Sequence, residues 1–135
     1  DDGRTDMYNI YGITDLPASE LKYLNRSWNS APGLGNLSGA ESKGFEKGQR
    51  AYVLNKKSKK ISFSLDGSKD SPILNPCFVI KNWESDRPAQ WTINGDKKDL
   101  RNAVRQGIIR DTDGTRTLVI WIEQKSEDKS AYTIY

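Results

Sequence analysis

The sequence predicts an all-β fold, an antiparallel, jelly-roll-like β-sandwich with about eight strands and one long loop. Short apolar runs alternate with polar residues, which is the pattern of strands that bury one face. Turn-forming residues separate these runs at short intervals. The long helical segments that βαβ crossovers require are missing from the pattern. We expect a single domain over residues 1–135, excised from a larger enzyme.

Fewer regular elements are predicted in the first third of the chain. Residues 7–11 form a short β-type run, and residues 15–24 predict one or two helical turns after Asp15 and Pro17. Residues 25–48 are rich in Gly, Ser, Asn and Pro and predict a long loop.

The rest of the chain predicts strands, with a short helix at residues 99–104. The strands predicted at residues 51–54 and 61–65 are expected to form a hairpin over a lysine-rich turn. Gly95 and Gly114 mark further turns. The predicted strands are residues 51–54, 61–65, 77–83, 90–93, 107–110, 117–123 and 131–135. Alternation assigns to the core Ile61, Phe63, Leu65, Phe78, Ile80, Ile93, Leu118, Ile120 and Ile122.

The composition excludes several kinds of chemistry. The chain has no histidine, so it lacks the base of Ser-His-Asp triads and the usual zinc ligands. Its one cysteine, Cys77, excludes an internal disulfide. With 21 Lys and Arg against 18 Asp and Glu, the mild net charge of +3 suits an anionic partner without requiring one. We expect no enzyme activity.

Three tryptophans are candidate platforms for a sugar ring. Alternation places Trp121 opposite the core face of its strand, and Trp83 and Lys81 opposite Phe78. Trp28 begins the long loop, where binding residues often lie. An indole offers a flat apolar face to a pyranose ring. The alternative for each tryptophan is burial in the core or under a loop, which is also our interpretation of Trp91.

Three arginines flank one predicted hairpin and are candidate anion clamps. Arg105, Arg110 and Arg116 would pair a carboxylate or sulfate through their forked guanidinium groups. Asp111 and Asp113 would partly neutralise them. Because these two residues precede Gly114, the turn also resembles the start of a calcium loop, and a structural calcium ion remains an alternative to no cofactor.

Three runs carry a resemblance to a known class of domain. They are QRAY at residues 49–52, SPILNPCFVIKNW at 71–83 and RQGIIRDTDG at 105–114. The stretch from residue 48 to 123 resembles the C-terminal, non-catalytic β-sandwich domains of secreted polysaccharide-degrading enzymes of Bacteroidetes. The resemblance implies a secreted, carbohydrate-binding-module-like accessory domain beside a catalytic domain in the same polypeptide.

Two functions are therefore compared. The first is a carbohydrate-binding module that targets an appended enzyme to a polysaccharide, one that carries sulfate or uronic acid groups. The second is a structural accessory domain that packs against the catalytic domain without a ligand. We expect a monomer that binds neither nucleic acid nor membrane, because the charge is mild and no apolar run approaches the roughly 20 residues of a membrane span.

Overall fold

The computed structural model describes residues 31–95 and 104–135, and its regular structure there is entirely β. Within these ranges the chain forms eleven strands. They are β1 (Leu34–Ser38), β2 (Ala40–Glu46), β3 (Ala51–Lys56), β4 (Ile61–Asp66), β5 (Ile73–Leu74), β6 (Cys77–Lys81), β7 (Trp91–Ile93), β8 (Val104–Arg110), β9 (Arg116–Ile122), β10 (Lys125–Ser126) and β11 (Lys129–Ile134).

The strands form two main sheets. The four-stranded sheet has the order β1-β4-β11-β7, and the five-stranded sheet has the order β2-β3-β6-β9-β8. A short pair, β10 with β5, stands apart from both. Among the strands described, pairing is antiparallel with one exception, since β3 and β6 run parallel. The predicted all-β sandwich is confirmed, with this parallel pair as a departure from a strictly antiparallel arrangement.

The main core lies between the two sheets. Phe63 and Tyr132 from the four-stranded sheet meet Phe78 from the five-stranded sheet, with ring centroids 4.9 to 5.3 Å apart. Eight of the nine residues that alternation assigned to the core are buried, and the ninth, Ile93, is half-buried against them. Alternate residues of each strand therefore point between the sheets, as the period of two requires.

Seven predicted strands are present as β3, β4, β6, β7, β8, β9 and β11, with small shifts in their ends. The predicted hairpin between the first two is wrong, because β3 belongs to the five-stranded sheet and β4 to the four-stranded one. The turn between them instead contacts Gly39, whose carbonyl accepts hydrogen bonds from the amides of Lys57 and Ser58. Gly39 connects β1 to β2, and Lys60 lies in the connection from β3 to β4. A Cβ on Gly39 would lie 2.0 Å from the Lys60 carbonyl oxygen, so the close approach of these two connections requires glycine.

The predicted loop over residues 25–48 is also wrong in its described part, which contains β1 and β2. Both are edge strands of their sheets. An edge strand has a neighbouring strand on one side only, so a few apolar residues are sufficient. The strand expected at residues 7–11, the helical turns at 15–24 and the helix start at 99–103 lie outside the described residues. No helix in the described ranges is long and apolar enough to cross a membrane.

A second apolar cluster lies on the face of the five-stranded sheet that points away from the main core. Its members are Ala51, Val53, Cys77, Val79 and Trp121, with Val119 packed against them. The cluster members on β3, β6 and β9 alternate with residues of the main core, so these three strands bury residues on both faces. We call the face that carries this second cluster the outer face.

Candidate functional site

A groove of about 560 Å³ lies on the outer face, beyond the apolar cluster. Val53 is the one apolar side chain among the described residues that line it. The other lining residues are Lys43, Glu46, Gln49, Asn55, Lys81, Asn82, Asp111, Asp113, Thr115 and Thr117. We call this feature the outer groove.

Strand register places three polar side chains in one row at the floor of the outer groove. Asn55 on β3 pairs with Lys81 on β6, and Lys81 pairs with Thr117 on β9. Each lies two residues along its strand from Val53, Val79 or Val119, so all three point to the outer face. The row thus presents an amide, an ammonium and a hydroxyl group on neighbouring strands, about 4.8 Å apart.

Asn82 adds a second amide beside this row. Its Nδ2 donates a hydrogen bond to Oδ1 of Asn55, which joins the residue after β6 to β3. The backbone of Asn82 is left-handed, with φ of 59°. Asparagine adopts this conformation more readily than most residues, so it can place an amide here at low conformational cost.

The β8–β9 turn forms one wall of the outer groove. The Asp111 amide donates to the Thr115 carbonyl oxygen at 2.9 Å, and Gly114 occupies a left-handed conformation with φ of 89°. The Thr115 hydroxyl lies 2.7 Å from Oδ1 of Asp113 and 3.1 Å from Oδ2 of Asp111. Hydrogen bonds from the side chain and backbone of Thr115 lower the pKa of Asp113. The turn therefore presents the ionised carboxylate of Asp113.

The charges of the outer groove are mixed. Lys43 and Lys81 face Glu46, Asp111 and Asp113 among its described lining residues. The Lys81 side chain is exposed and makes no hydrogen bond or ion pair with another described residue. Within the described ranges no group of three or more acidic or cysteine side chains is placed to hold a metal ion. The outer groove is thus equipped for hydrogen bonding to a polar ligand.

The predicted role of Trp83 as an exposed platform is wrong. Its side chain is only 3% exposed and belongs to the main core. The indole Nε1 donates to the Arg87 carbonyl oxygen at 3.0 Å, and the ammonium of Lys56 lies 4.4 Å from the ring centroid. β6 ends at Lys81, and the chain then turns Trp83 toward the core. Strict alternation beyond the strand therefore placed it on the wrong face.

Trp121 lies on the predicted face but is not an open platform either. It points away from Leu118 and Ile120, as alternation required, yet its side chain is only 5% exposed. The guanidinium of Arg105, its register partner on β8, lies 5.7 Å from the ring centroid. Trp91, assigned to the core, is partly buried against it, and Trp28 lies outside the described residues.

The three arginines do not converge, so the predicted anion clamp is wrong. Arg110 and Arg116 are register partners, and both donate to the carboxylate of Asp86, at 2.6 and 2.8 Å. These bonds, with that of Arg110 the stronger, lower the pKa of Asp86. Arg105 lies on the outer face, five residues back along β8, or roughly 17 Å from Arg110. Two of the three guanidinium groups are therefore already paired with the carboxylate of Asp86.

Of the residues predicted for the ligand site, Lys81 alone lines the outer groove among those described. Asn55, Asn82 and Thr117 were not predicted from the sequence. Alternation from Val53 would have placed Asn55 on the outer face, but nothing in the sequence indicated that β3 lies beside β6.

Searches of protein-family models, of curated proteins and of solved structures each returned no match to this chain.

Proposed function

We propose that this chain is a non-catalytic carbohydrate-binding module that attaches an enzyme to a polysaccharide through the outer groove. The observation that carries the proposal is the row of Asn55, Lys81 and Thr117 on three neighbouring strands. Amides, ammonium groups and hydroxyls together donate and accept hydrogen bonds, which is what the hydroxyl groups of a sugar require.

The shape of the groove supports an extended ligand. Its described lining runs from β2 across β3 and β6 to β9, which spans three strand spacings or about 15 Å. A single sugar ring would fill only part of this length. A segment of a polysaccharide chain lying across the strands is the ligand that matches the groove.

Hydrogen bonding, rather than stacking on tryptophan, supplies the affinity in this proposal. Trp83 and Trp121 are both enclosed, so neither ring face is open to a sugar. Each hydrogen bond to the ligand replaces hydrogen bonds to water, so its net contribution to binding is only about 1 kcal/mol. Several such bonds must therefore act together. We therefore expect weak to moderate affinity that depends on several groove residues at once.

An enzyme role is less well supported by the groove chemistry. A general acid at neutral pH needs a carboxyl group whose pKa is raised. Asp113, which lines the groove, has its pKa lowered instead. Its carboxylate is suited to accepting hydrogen bonds from a ligand, which agrees with a binding module.

Affinity gel electrophoresis against a panel of polysaccharides tests the proposal. The panel contains galactomannan, xylan and β-1,3-glucan as neutral polymers, and polygalacturonate and a sulfated galactan as anionic ones. We expect at least one polymer to retard the chain, and the Lys81→Ala variant to lose most of that retardation. Retardation by no polymer would overturn the proposal.

Lys69→Ala is the matched control, because Lys69 is exposed and lies outside the outer groove. It changes net charge by the same amount and should leave retardation unaltered. The panel also tests the predicted preference for an anionic glycan, since two lysines and three carboxylates among the lining residues give no clear bias. An anionic ligand should bind more weakly as salt concentration rises.

The alternative, a structural domain packed against a catalytic domain, predicts an exposed apolar surface on this chain. Within residues 31–95 and 104–135, Ile109 is the one large apolar side chain that is exposed, at 54%. Single exposed apolar residues are ordinary on protein surfaces. The polar outer groove therefore favours ligand binding over domain packing.

A further inference from the structure

The side-chain amides of Asn55 and Asn82 form a hydrogen-bonded pair at the floor of the outer groove. The side chains of Asn55 and Asn82 are 27 residues apart in sequence and are joined by one hydrogen bond. Both line the outer groove. The bond places the two amides side by side in the absence of a ligand.

One hydrogen bond uses only part of the capacity of two amides. Each asparagine side chain has two N–H donors and a carbonyl oxygen with two lone pairs. Neither side chain has another hydrogen bond with the described residues. Donor and acceptor positions therefore remain side by side on the pair.

We infer that the Asn55–Asn82 pair recognises a vicinal diol of the bound glycan, so that adjacent hydroxyl groups determine specificity. This inference rests on the proposed function. The two hydroxyl groups of a vicinal diol each donate one hydrogen bond and accept others. Their oxygen atoms are about as far apart as the donor and acceptor atoms of a hydrogen bond. A joined amide pair offers a donor beside an acceptor at the same separation, and the Lys81 ammonium adds a donor next to Asn55.

The backbone at Asn82 provides a clean variant. Its φ of 59° is a conformation in which glycine is at least as stable as asparagine. Asn82→Gly therefore removes the amide while keeping the backbone path. Asn36→Gly is the matched control, because Asn36 has φ of 52° and lies on β1 in the opposite sheet.

The test uses galactomannan and polygalacturonate, each before and after periodate oxidation followed by borohydride reduction. Periodate cleaves the carbon–carbon bond of vicinal diols and leaves isolated hydroxyl groups intact. β-1,3-Glucan is a natural counterpart, since its internal residues carry no vicinal diol. Dissociation constants come from affinity gel electrophoresis at several polymer concentrations.

We expect retardation by an intact polymer, at least tenfold weaker binding to its oxidised form and no retardation by β-1,3-glucan. Asn82→Gly should weaken binding to the intact polymer by about tenfold, the effect of one or two lost hydrogen bonds, and Asn36→Gly should not. Equal binding to intact and oxidised polymer, or full binding by Asn82→Gly, would overturn the diol inference and leave the proposed function standing. If neither polymer nor any other glycan retards the chain, the proposed function falls, and this inference falls with it.

Discussion

The ammonium group of Lys56 lies 4.4 Å above the centroid of the Trp83 ring and donates a hydrogen bond to the Trp83 carbonyl oxygen at 3.0 Å. One lysine at the end of β3 thus contacts both the indole ring and the backbone of the segment that follows β6. The indole is buried, and its own N–H is satisfied by Arg87. Trp83 therefore anchors the chain that leads away from the outer groove.

We predict that Lys56→Met lowers the free energy of unfolding by about 1 kcal/mol, because the variant keeps the apolar stem but loses the cation–π contact and the hydrogen bond. Urea denaturation measures the change. Lys59→Met is the control, since Lys59 is exposed in the same turn. Equal stability of the two variants would show that the contact with Trp83 contributes nothing.

Trp83 and Trp121 should be shielded from solvent. Two variants, each keeping one of these indoles with the other three tryptophans changed to phenylalanine, isolate their fluorescence. Because the side chains are 3% and 5% exposed, we expect blue-shifted emission and little quenching by acrylamide. Quenching as strong as in the urea-unfolded variants would contradict the enclosed positions.

Alkaline pH should unfold the protein as two buried tyrosines ionise. Burial is the main cause that raises the pKa of Tyr52 and of Tyr132. Their hydroxyls donate to the Pro32 carbonyl oxygen and to Gln124, each at 2.6 Å. A raised folded-state pKa gives stability that is complete below the unfolded pKa of about 10 and is lost as pH rises above it.

The absorbance of tyrosinate measures this titration. We expect Tyr52 and Tyr132 to ionise only together with loss of the folded circular dichroism signal. In a Tyr132→Phe variant, one fewer tyrosine should titrate with unfolding. Ionisation of both groups near pH 10 in a chain that stays folded would contradict the account.

Acid should remove the contribution of the Asp86 contact with Arg110 and Arg116. The two guanidinium groups lower the folded-state pKa of Asp86, so its stabilising effect is present above the unfolded value of about 3.9 and is lost as pH falls through the folded value. Asp86→Asn should therefore be less stable than the natural chain at neutral pH and equally stable at about pH 2.

Urea midpoints of the two chains at both pH values check this prediction. The neutral-pH difference should be small, because Asp86 is exposed and solvent screens the ion pairs. Added salt should reduce it further. A difference that persists unchanged in acid would assign the effect to something other than the charge of Asp86.

Seven strand positions were predictable from alternation, because their apolar residues face a common core; they are those of β3, β4, β6, β7, β8, β9 and β11. β1 and β2 were not, since Gly35, Asn36 and Gly44 give them the composition of a loop. As edge strands, β1 and β2 bury only part of one face, so a weak apolar pattern is sufficient.

The candidate site was less predictable than the fold. Alternation placed Trp121 on the outer face correctly, but a period of two identifies a face without showing whether that face is enclosed. Likewise, no local pattern joins Asp86 to Arg110 and Arg116, which lie 24 and 30 residues away. The pairing of β3 with β6, which brings Asn55 beside Lys81, is parallel and follows from the whole topology.

Chemical-shift mapping with isotope-labelled protein tests the role of the outer groove most directly. The chain is titrated with an oligosaccharide from whichever polysaccharide retards it. We predict that the amide signals that shift belong to residues 53–55, 81–82 and 111–117, which surround Asn55, Lys81 and Thr117. Shifts confined to β1, β4 and β11 of the opposite sheet would show that the glycan binds elsewhere and would contradict the account.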